Sequence, residues 1–485
     1  MKSKIGQNLI LQTVYQILNT CLPLITAPYL ARVLGATQLG VFSYTSSVIA
    51  YYSLFAMLGT VNYGTRSIAS AGDDKELRSR LFWEIYILQI CTTLISLFAY
   101  IVYLLFVCKD NHIVATVQIL TLIGCLLDIN WLFFGCENFK LTVTRSFVIR
   151  IITVAAIMLF VKSEDQLWLY TAIMLIGTIF SNSILWLYAF KHVSLFHIRI
   201  KGILSHIKPN LILFIPLLAM SVYHIMDRTM MGLLSDYTQC GYYYNADKVI
   251  NIPLGILFGV GTVMLPRMTS LFSENKVQEA NKLFLVSVEG IAVIGIAMTC
   301  GISAISNEFV PWFFGKGYDS CIVLIIVLSP VLLVKGLSNT VRTQYLVPLK
   351  KEAIFTKSVI IGAIVNLIVN LMFIPKLGAM GAVLGTLLAE LVACIIQFFA
   401  IKGEIKFREV MIRSMIYLCF GMVMIGFVRC VSYIEVNIWI KLLVELGTGV
   451  IVYSGVCIVF WKKTNNSIYK DMFLPIIQKF FKRSV

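Results

Sequence analysis

Charge is what this chain has little of. Asp, Glu, Lys and Arg make up 13% of its 485 residues, 59% are apolar, and the mean hydropathy is +0.87. No water-soluble fold of this length hides that much apolar surface in one core, so an integral membrane protein is implied. Histidine is rare, with five in the chain, and the twelve cysteines show neither a CxxC pair nor regular spacing. A zinc site or disulfide framework is not expected, and Cys91, Cys125, Cys300 and Cys394 read as small packing residues within helices. No phosphate-binding glycine loop with its lysine and no nucleophile elbow occurs, which leaves no catalytic residue, metal site or cofactor to assign. Long polar connections are missing too, since those around Lys109 and Gly315 run to only about ten residues. An integral membrane polymerase or glycosyltransferase, the less favoured alternative, needs a larger extramembrane loop to carry acid or base residues.

What is present is a series of apolar stretches, each near the roughly 20 residues that cross about 30 Å of hydrocarbon as a helix. Fourteen are read, at 8–30, 41–63, 81–107, 113–134, 143–161, 167–190, 210–234, 243–265, 283–305, 320–341, 354–374, 378–401, 411–431 and 438–461. The first is too polar and lacks a small-residue cleavage site, so it reads as a retained helix, not a signal peptide. The expected class is an all-α integral membrane protein. Net charge is +16, yet 29 of the 40 Lys and Arg fall in alternate loops against seven in the others, with four inside helices. That is the positive-inside bias, placing both termini in the cytoplasm and making the basicity topological instead of a nucleic-acid signal. From Lys462, basic and apolar residues alternate at helical spacing, as in an amphipathic helix on the inner leaflet.

The chain also repeats itself. Asn8-Leu9-Ile10-Leu11 recurs as Asn210-Leu211-Ile212-Leu213, Gly40 matches Gly241, and Arg66 matches Arg267, with offsets of 201 or 202. An interior proline follows each opening, at Pro23 and at Pro216. One order of such features points to a duplicated membrane unit with a site between the halves.

Candidate functional residues are the polar ones inside apolar segments, where burial is costly unless they are paired or hydrated. Asn8, Gln12 and Asn19 share a face of helix 1, which either bonds to other helices or lines a hydrated cavity; Pro23 and Pro28 provide a place for that helix to bend. Asp128 reads as a capped or paired carboxylate, and Arg150 either partners it or faces a cavity. His224, Asp227 and Arg228 form either a fixed ion pair or a site for anion binding or cation coupling. Asp247, Lys248 and Asn251 follow on helix 8. Lys335, Asn339 and Arg342 make a basic stripe suited to a multiply charged ligand. Gly255-x-x-x-Gly259 and Gly381-x-x-x-Gly385 read as helix packing, while Glu289, Glu390 and Glu445 receive no role. The aromatics around Trp131 sit where an interfacial belt belongs.

Several passages resemble the Wzx-type oligosaccharide flippases, the polysaccharide-transport family of the multidrug/oligosaccharidyl-lipid/polysaccharide exporter superfamily. They are Pro28–Gly40, Tyr63–Ala69, Trp131–Arg150, Asp227 with Gly232, Gly241–Lys248, Gly315–Tyr318 and Leu346–Glu390, spanning about the first 400 residues. The resemblance implies two pseudo-symmetric six-helix bundles, 1–207 and 208–405, two further helices in 406–461 and a basic tail over 462–485. It implies transport, not catalysis: an undecaprenyl-diphosphate-linked repeat unit moves from the cytoplasmic to the outer leaflet of the bacterial cytoplasmic membrane by alternating access. Such a flippase serves capsule, O-antigen or related polysaccharide synthesis. A cationic central cavity would receive the diphosphate, with Arg32, Arg66, Arg150, Arg228, Lys248, Lys335 and Arg342 as candidates by location. Coupling to a returning H+ or Na+ would fall to His224, Asp227 or Asp247. Partners would be the lipid-linked glycan, membrane lipids and the polysaccharide polymerase and chain-length machinery, with the transporter a monomer. The alternative on the same fold, a drug or metabolite cation antiporter, needs an acidic aromatic pocket instead.

Overall fold

A computed structural model describes residues 2–196, 200–405, 407–464 and 466, with the side chains of 2–23, 216, 219, 220 and 222–224 outside the description. Every regular element among the described residues is helical. That follows from the composition, because in hydrocarbon a helix is one of only two ways to satisfy all backbone polar groups. Twelve helical stretches among the described residues, some joining several short elements, have the length and apolarity to cross a membrane. The chain divides into two compact units, Met1–Tyr244 and Asn245–Val485.

The first unit comprises α1 (Lys2–Met57), α2 (Thr60–Ala71), α3 (Lys75–Phe106), α4 (His112–Val117), α5 (Ile119–Leu127), α6 (Asn130–Gly135), α7 (Phe139–Phe160), α8 (Leu167–His192), α9 (Ile200–Ser205), α10 (Ile207–Leu234) and the opening of α11 (Tyr237–Ser273). The first two expected segments meet within α1, which Gly35, with φ 75° and ψ 172°, breaks into two helices. The non-helical break thus falls at Gly35, beyond Pro23 and Pro28. Proline's fixed φ suits a helix, whereas φ 75° is a conformation that residues with a Cβ avoid and glycine does not. The seventh expected segment is α10, of 28 residues. The expected interfacial belt is also corrected: Trp131, Leu132 and Phe133 are fully buried, packed with Phe82, Ile68 and Leu185 in the unit's core. Trp131 Nε1 donates to Gln89 Oε1 at 3.1 Å, which satisfies its one polar group inside that core.

One crossing in this unit carries the sequence repeat into three dimensions. Thr37 and Thr238, 201 residues apart, share a hydrogen bond of 2.9 Å. A Cβ built on Gly40 would lie 1.6 Å from the Tyr237 carbonyl oxygen, and one on Gly241 would lie 1.9 Å from that of Ala36. Each contact maps onto the other by the same 201-residue shift, so this is a self-complementary helix pair of the kind a two-fold axis makes. Glycine is needed because backbone meets backbone.

The second unit continues α11 and adds α12 (Val277–Phe314), α13 (Asp319–Leu328), α14 (Pro330–Val341) with a π-helical turn at Arg342–Leu346, α15 (Glu352–Leu377), α16 (Ala379–Ile401), α17 (Arg408–Val431) and α18 (Ile438–Thr464). Gly381 and Gly385 seat α16 against α15, where Cβ atoms would lie 2.5 Å from the Ile374 nitrogen and 2.2 Å from Asn370 Oδ1. Gly259, by contrast, has nothing within 4 Å of its Cβ position, so the packing reading holds for Gly381 and Gly385 and not for Gly259. The last two helices are clasped to α12 by Glu289. Its Oε1 accepts from Tyr417 at 2.5 Å and Asn466 at 2.6 Å, and its Oε2 from Arg413 at 3.0 Å. Most of the basic tail lies outside the described residues.

Candidate functional site

In the first unit the clustered charges lie on α10. Asp227 is buried and accepts a hydrogen bond of 2.7 Å from the Tyr243 hydroxyl. Arg228 turns to another neighbour, its guanidinium 5.2 Å from the centre of the Tyr244 ring, and Thr229 donates to Ser47 at 2.8 Å. Three consecutive side chains thus meet three partners, because successive helical positions differ by about 100°. Arg32, Arg66 and Arg150 are exposed. His224, Asn8, Gln12 and Asn19 lie outside the described side chains.

The arginine built into the interior of α7 is Arg145, which the sequence reading did not single out. It is buried, donating to the Ser181 carbonyl at 2.6 Å and to Asn130 Oδ1 at 3.0 Å. Asp128 caps the break between α5 and α6, accepting from the Asn130 backbone and side-chain nitrogens at 2.9 and 2.7 Å. Asn182 completes the group by donating to the Gly124 carbonyl at 3.0 Å. Glu84, also buried, holds His206 at 3.0 Å and Arg80 at 3.1 Å, and His206 shares a 2.7 Å bond with Tyr63. Interior polarity was the available signal for all of these, but it named no partners.

In the second unit the basic stripe on α14 is partly neutralised. Lys335 lies 3.3 Å from Glu390 of α16, both nearly buried. Arg342 donates to Asn339 Oδ1 at 3.0 Å and stacks 5.1 Å from the Phe355 ring centre. Lys248 is half-buried, and Asp247 accepts from the Asn251 amide at 2.7 Å. Among the described residues no group of three His, Cys, Asp or Glu side chains is arranged to hold a metal. Arg342, braced by an amide and a ring, is suited to binding an anion, since those partners fix the guanidinium without cancelling its charge.

A polytopic bundle of interrupted helices with interior cations defines a membrane transporter. The profile of the polysaccharide biosynthesis protein family matches residues 5–272, and the chain belongs to that family, on the Wzx-type branch its motifs resemble. It is 25% identical over 413 residues to the Escherichia coli (strain K12) protein named "Putative O-antigen transporter", covering 83% of this chain and 98% of that one. Its fold is similar to that of the lipid II flippase MurJ in an inward closed conformation, at TM-score 0.75 and 14% identity over 95% of this chain and all of that one. An inward-facing multidrug resistance MATE transporter is more distant, at TM-score 0.58 and 13% identity over 80% of this chain and 93% of that one.

Proposed function

We propose that the protein is a lipid-linked oligosaccharide flippase. It moves an undecaprenyl-diphosphate-linked repeat unit from the cytoplasmic to the outer leaflet of the bacterial cytoplasmic membrane, with both termini in the cytoplasm. The observation that carries this reading is the family match together with a named O-antigen transporter aligned along 83% of the chain. The interior cations Arg228, Lys248 and Arg342 support an anionic headgroup, because Arg in particular bonds phosphate through two parallel donors. Lys335 serves less directly, being paired to Glu390. A membrane potential negative inside favours outward movement of the diphosphate by roughly 2.3 kcal/mol per charge per 100 mV. Asp227 and Asp247 are the carboxylates available to couple a returning cation.

The test is reconstitution into proteoliposomes with a fluorescent undecaprenyl-diphosphate oligosaccharide, reading leaflet exposure. Arg228→Ala and Arg342→Ala should each lower translocation about tenfold or more, the loss of one charge-assisted bond. Wild-type protein that moves no lipid-linked sugar but exports cationic dyes overturns the substrate and leaves the cation antiporter.

A further inference from the structure

A concavity lies within the first unit, lined in part by Thr229 and Gly232 of α10. It has a volume of about 640 Å3 and is walled by Tyr44, Tyr51 and Tyr52 of α1, Tyr103 of α3 and Tyr237 of α11. Pockets of about 300–1,000 Å3 are the size that takes small ligands. The rings are held by packing on one another, and Tyr52 also packs on Tyr100 with ring centres 5.1 Å apart. Tyr44 and Tyr237 have ring centres 5.7 Å apart, and Tyr52 and Tyr103 have theirs 6.1 Å apart. Gly232 makes the room, since a Cβ there would sit 2.1 Å from the Tyr44 ring. Lys109 and Asp110 line the same space, both exposed. Neither has a side-chain hydrogen bond or ion pair among the described residues.

We propose that this pocket is a carbohydrate subsite that grips one or two sugar rings of the glycan; it rests on the flippase reading for where those rings come from. One face of a pyranose is a sheet of C–H groups that packs on the electron-rich face of an aromatic ring. Its edge carries hydroxyls that both donate and accept, which an ammonium and a carboxylate side by side satisfy together. Other occupants use the lining less well. A polyprenyl chain leaves Lys109 and Asp110 idle, and a diphosphate is repelled by Asp110 at close range. Tyrosines of an interfacial belt would be spread around the perimeter; these five converge on one space. In the proposed topology the Lys109 loop is extracellular, so the pocket holds sugar on the side where the headgroup is delivered.

The experiment is saturation-transfer NMR on the full chain in nanodiscs, using free hexoses, N-acetylhexosamines, 6-deoxyhexoses, hexuronic acids and their disaccharides. At least one should receive saturation at its ring C–H protons. Its Kd should rise about fivefold in Lys109→Gln and in Asp110→Asn, which sit on an exposed loop and leave the fold alone, and about as much in Tyr51→Leu. No transfer to any of these sugars, or transfer unchanged in all three variants, overturns the subsite. Parallel flipping assays separate the two readings. Wild type that binds sugar but flips no lipid-linked glycan keeps the pocket and removes the flippase, whereas wild type that flips without sugar transfer does the reverse.

Discussion

Gly40→Ala places a methyl group 1.6 Å from the Tyr237 carbonyl oxygen, where ordinary contact begins at 3.4 Å. Neither partner is a flexible side-chain end, so the helices must part locally by about 1.8 Å, the difference between those two distances. The 2.9 Å bond between Thr37 and Thr238 is stretched beyond hydrogen-bond range by such a shift. Overpacking of this kind costs about 1–3 kcal/mol, and an interhelical hydrogen bond in a membrane protein about 0.6 kcal/mol. Alanine returns about 0.5–1 kcal/mol through its better helix propensity. The net expectation is a destabilisation of roughly 1–3 kcal/mol, read as reversible unfolding in bicelles. Gly241→Ala should cost a similar amount, because its Cβ position is 1.9 Å from the Ala36 carbonyl oxygen. The double variant should cost clearly less than the sum, since one separation relieves both clashes. Gly259→Ala, with nothing within 4 Å, is the control and should be neutral or slightly stabilising. A Gly40→Ala protein as stable as Gly259→Ala, or strict additivity of the Gly40 and Gly241 changes, would refute the reciprocal close crossing.

Four further outcomes are expected. Glu289→Ala removes the acceptor shared by Arg413, Tyr417 and Asn466 and should lower stability by about 1–3 kcal/mol, with faster proteolysis between α17 and α18; Glu289→Gln should be milder. Gly202→Ala puts a Cβ 2.0 Å from Glu84 Oε1, whose carboxylate is already tied to Arg80 and His206; limited proteolysis around 193–206 should quicken severalfold, and an unchanged rate would count against that contact. Glu445 is fully buried with both carboxylate oxygens lacking a hydrogen-bond partner among the described residues, so Glu445→Gln should raise the melting temperature, because a neutral amide costs less to bury than a carboxylate. The fourth concerns acid. Lys351 and Tyr345 donate to the Glu404 carboxylate at 2.6 and 2.7 Å, and these bonds, that from Lys351 first, hold its pKa below the usual carboxylate range. A lowered folded-state pKa adds stability that is fully present above the ordinary value near about 4.3 and is lost as pH falls through the folded one. Glu404→Gln should therefore be less stable than wild type at neutral pH and match it at strongly acid pH; a gap that persists in acid would deny the ionic contribution.

Much of the architecture was legible in the sequence because the bilayer acts on each segment separately. Runs of about 20 apolar residues had to be helices, and the Gly40 and Gly241 correspondence could be read from spacing before it reappeared as a reciprocal crossing. Interior polarity marked Asp227, Arg228, Lys335 and Arg342 as candidates for the same local reason. Gly381 and Gly385 read as packing, and they do pack.

Partnership was not legible. Helical periodicity says which residues of one segment share a face, but which neighbour that face meets depends on how the other helices are arranged. Lys335 finds Glu390 from another helix, Arg145 reaches the carbonyl of Ser181, and Trp131 enters a core instead of an interface. Gly35, not a proline, breaks α1, because the break needs a positive φ that no pattern of hydrophobicity records. The tyrosine pocket shows the same division. Tyr44, Tyr51 and Tyr52 already share one helical face at spacings of seven and eight, yet Tyr103, Lys109, Asp110 and Tyr237 join them only in the folded unit. The sequence by itself determined which stretches are apolar helices, since solvation acts residue by residue; tertiary structure alone decided which buried charges are neutralised, since that is settled by packing between helices far apart in the chain.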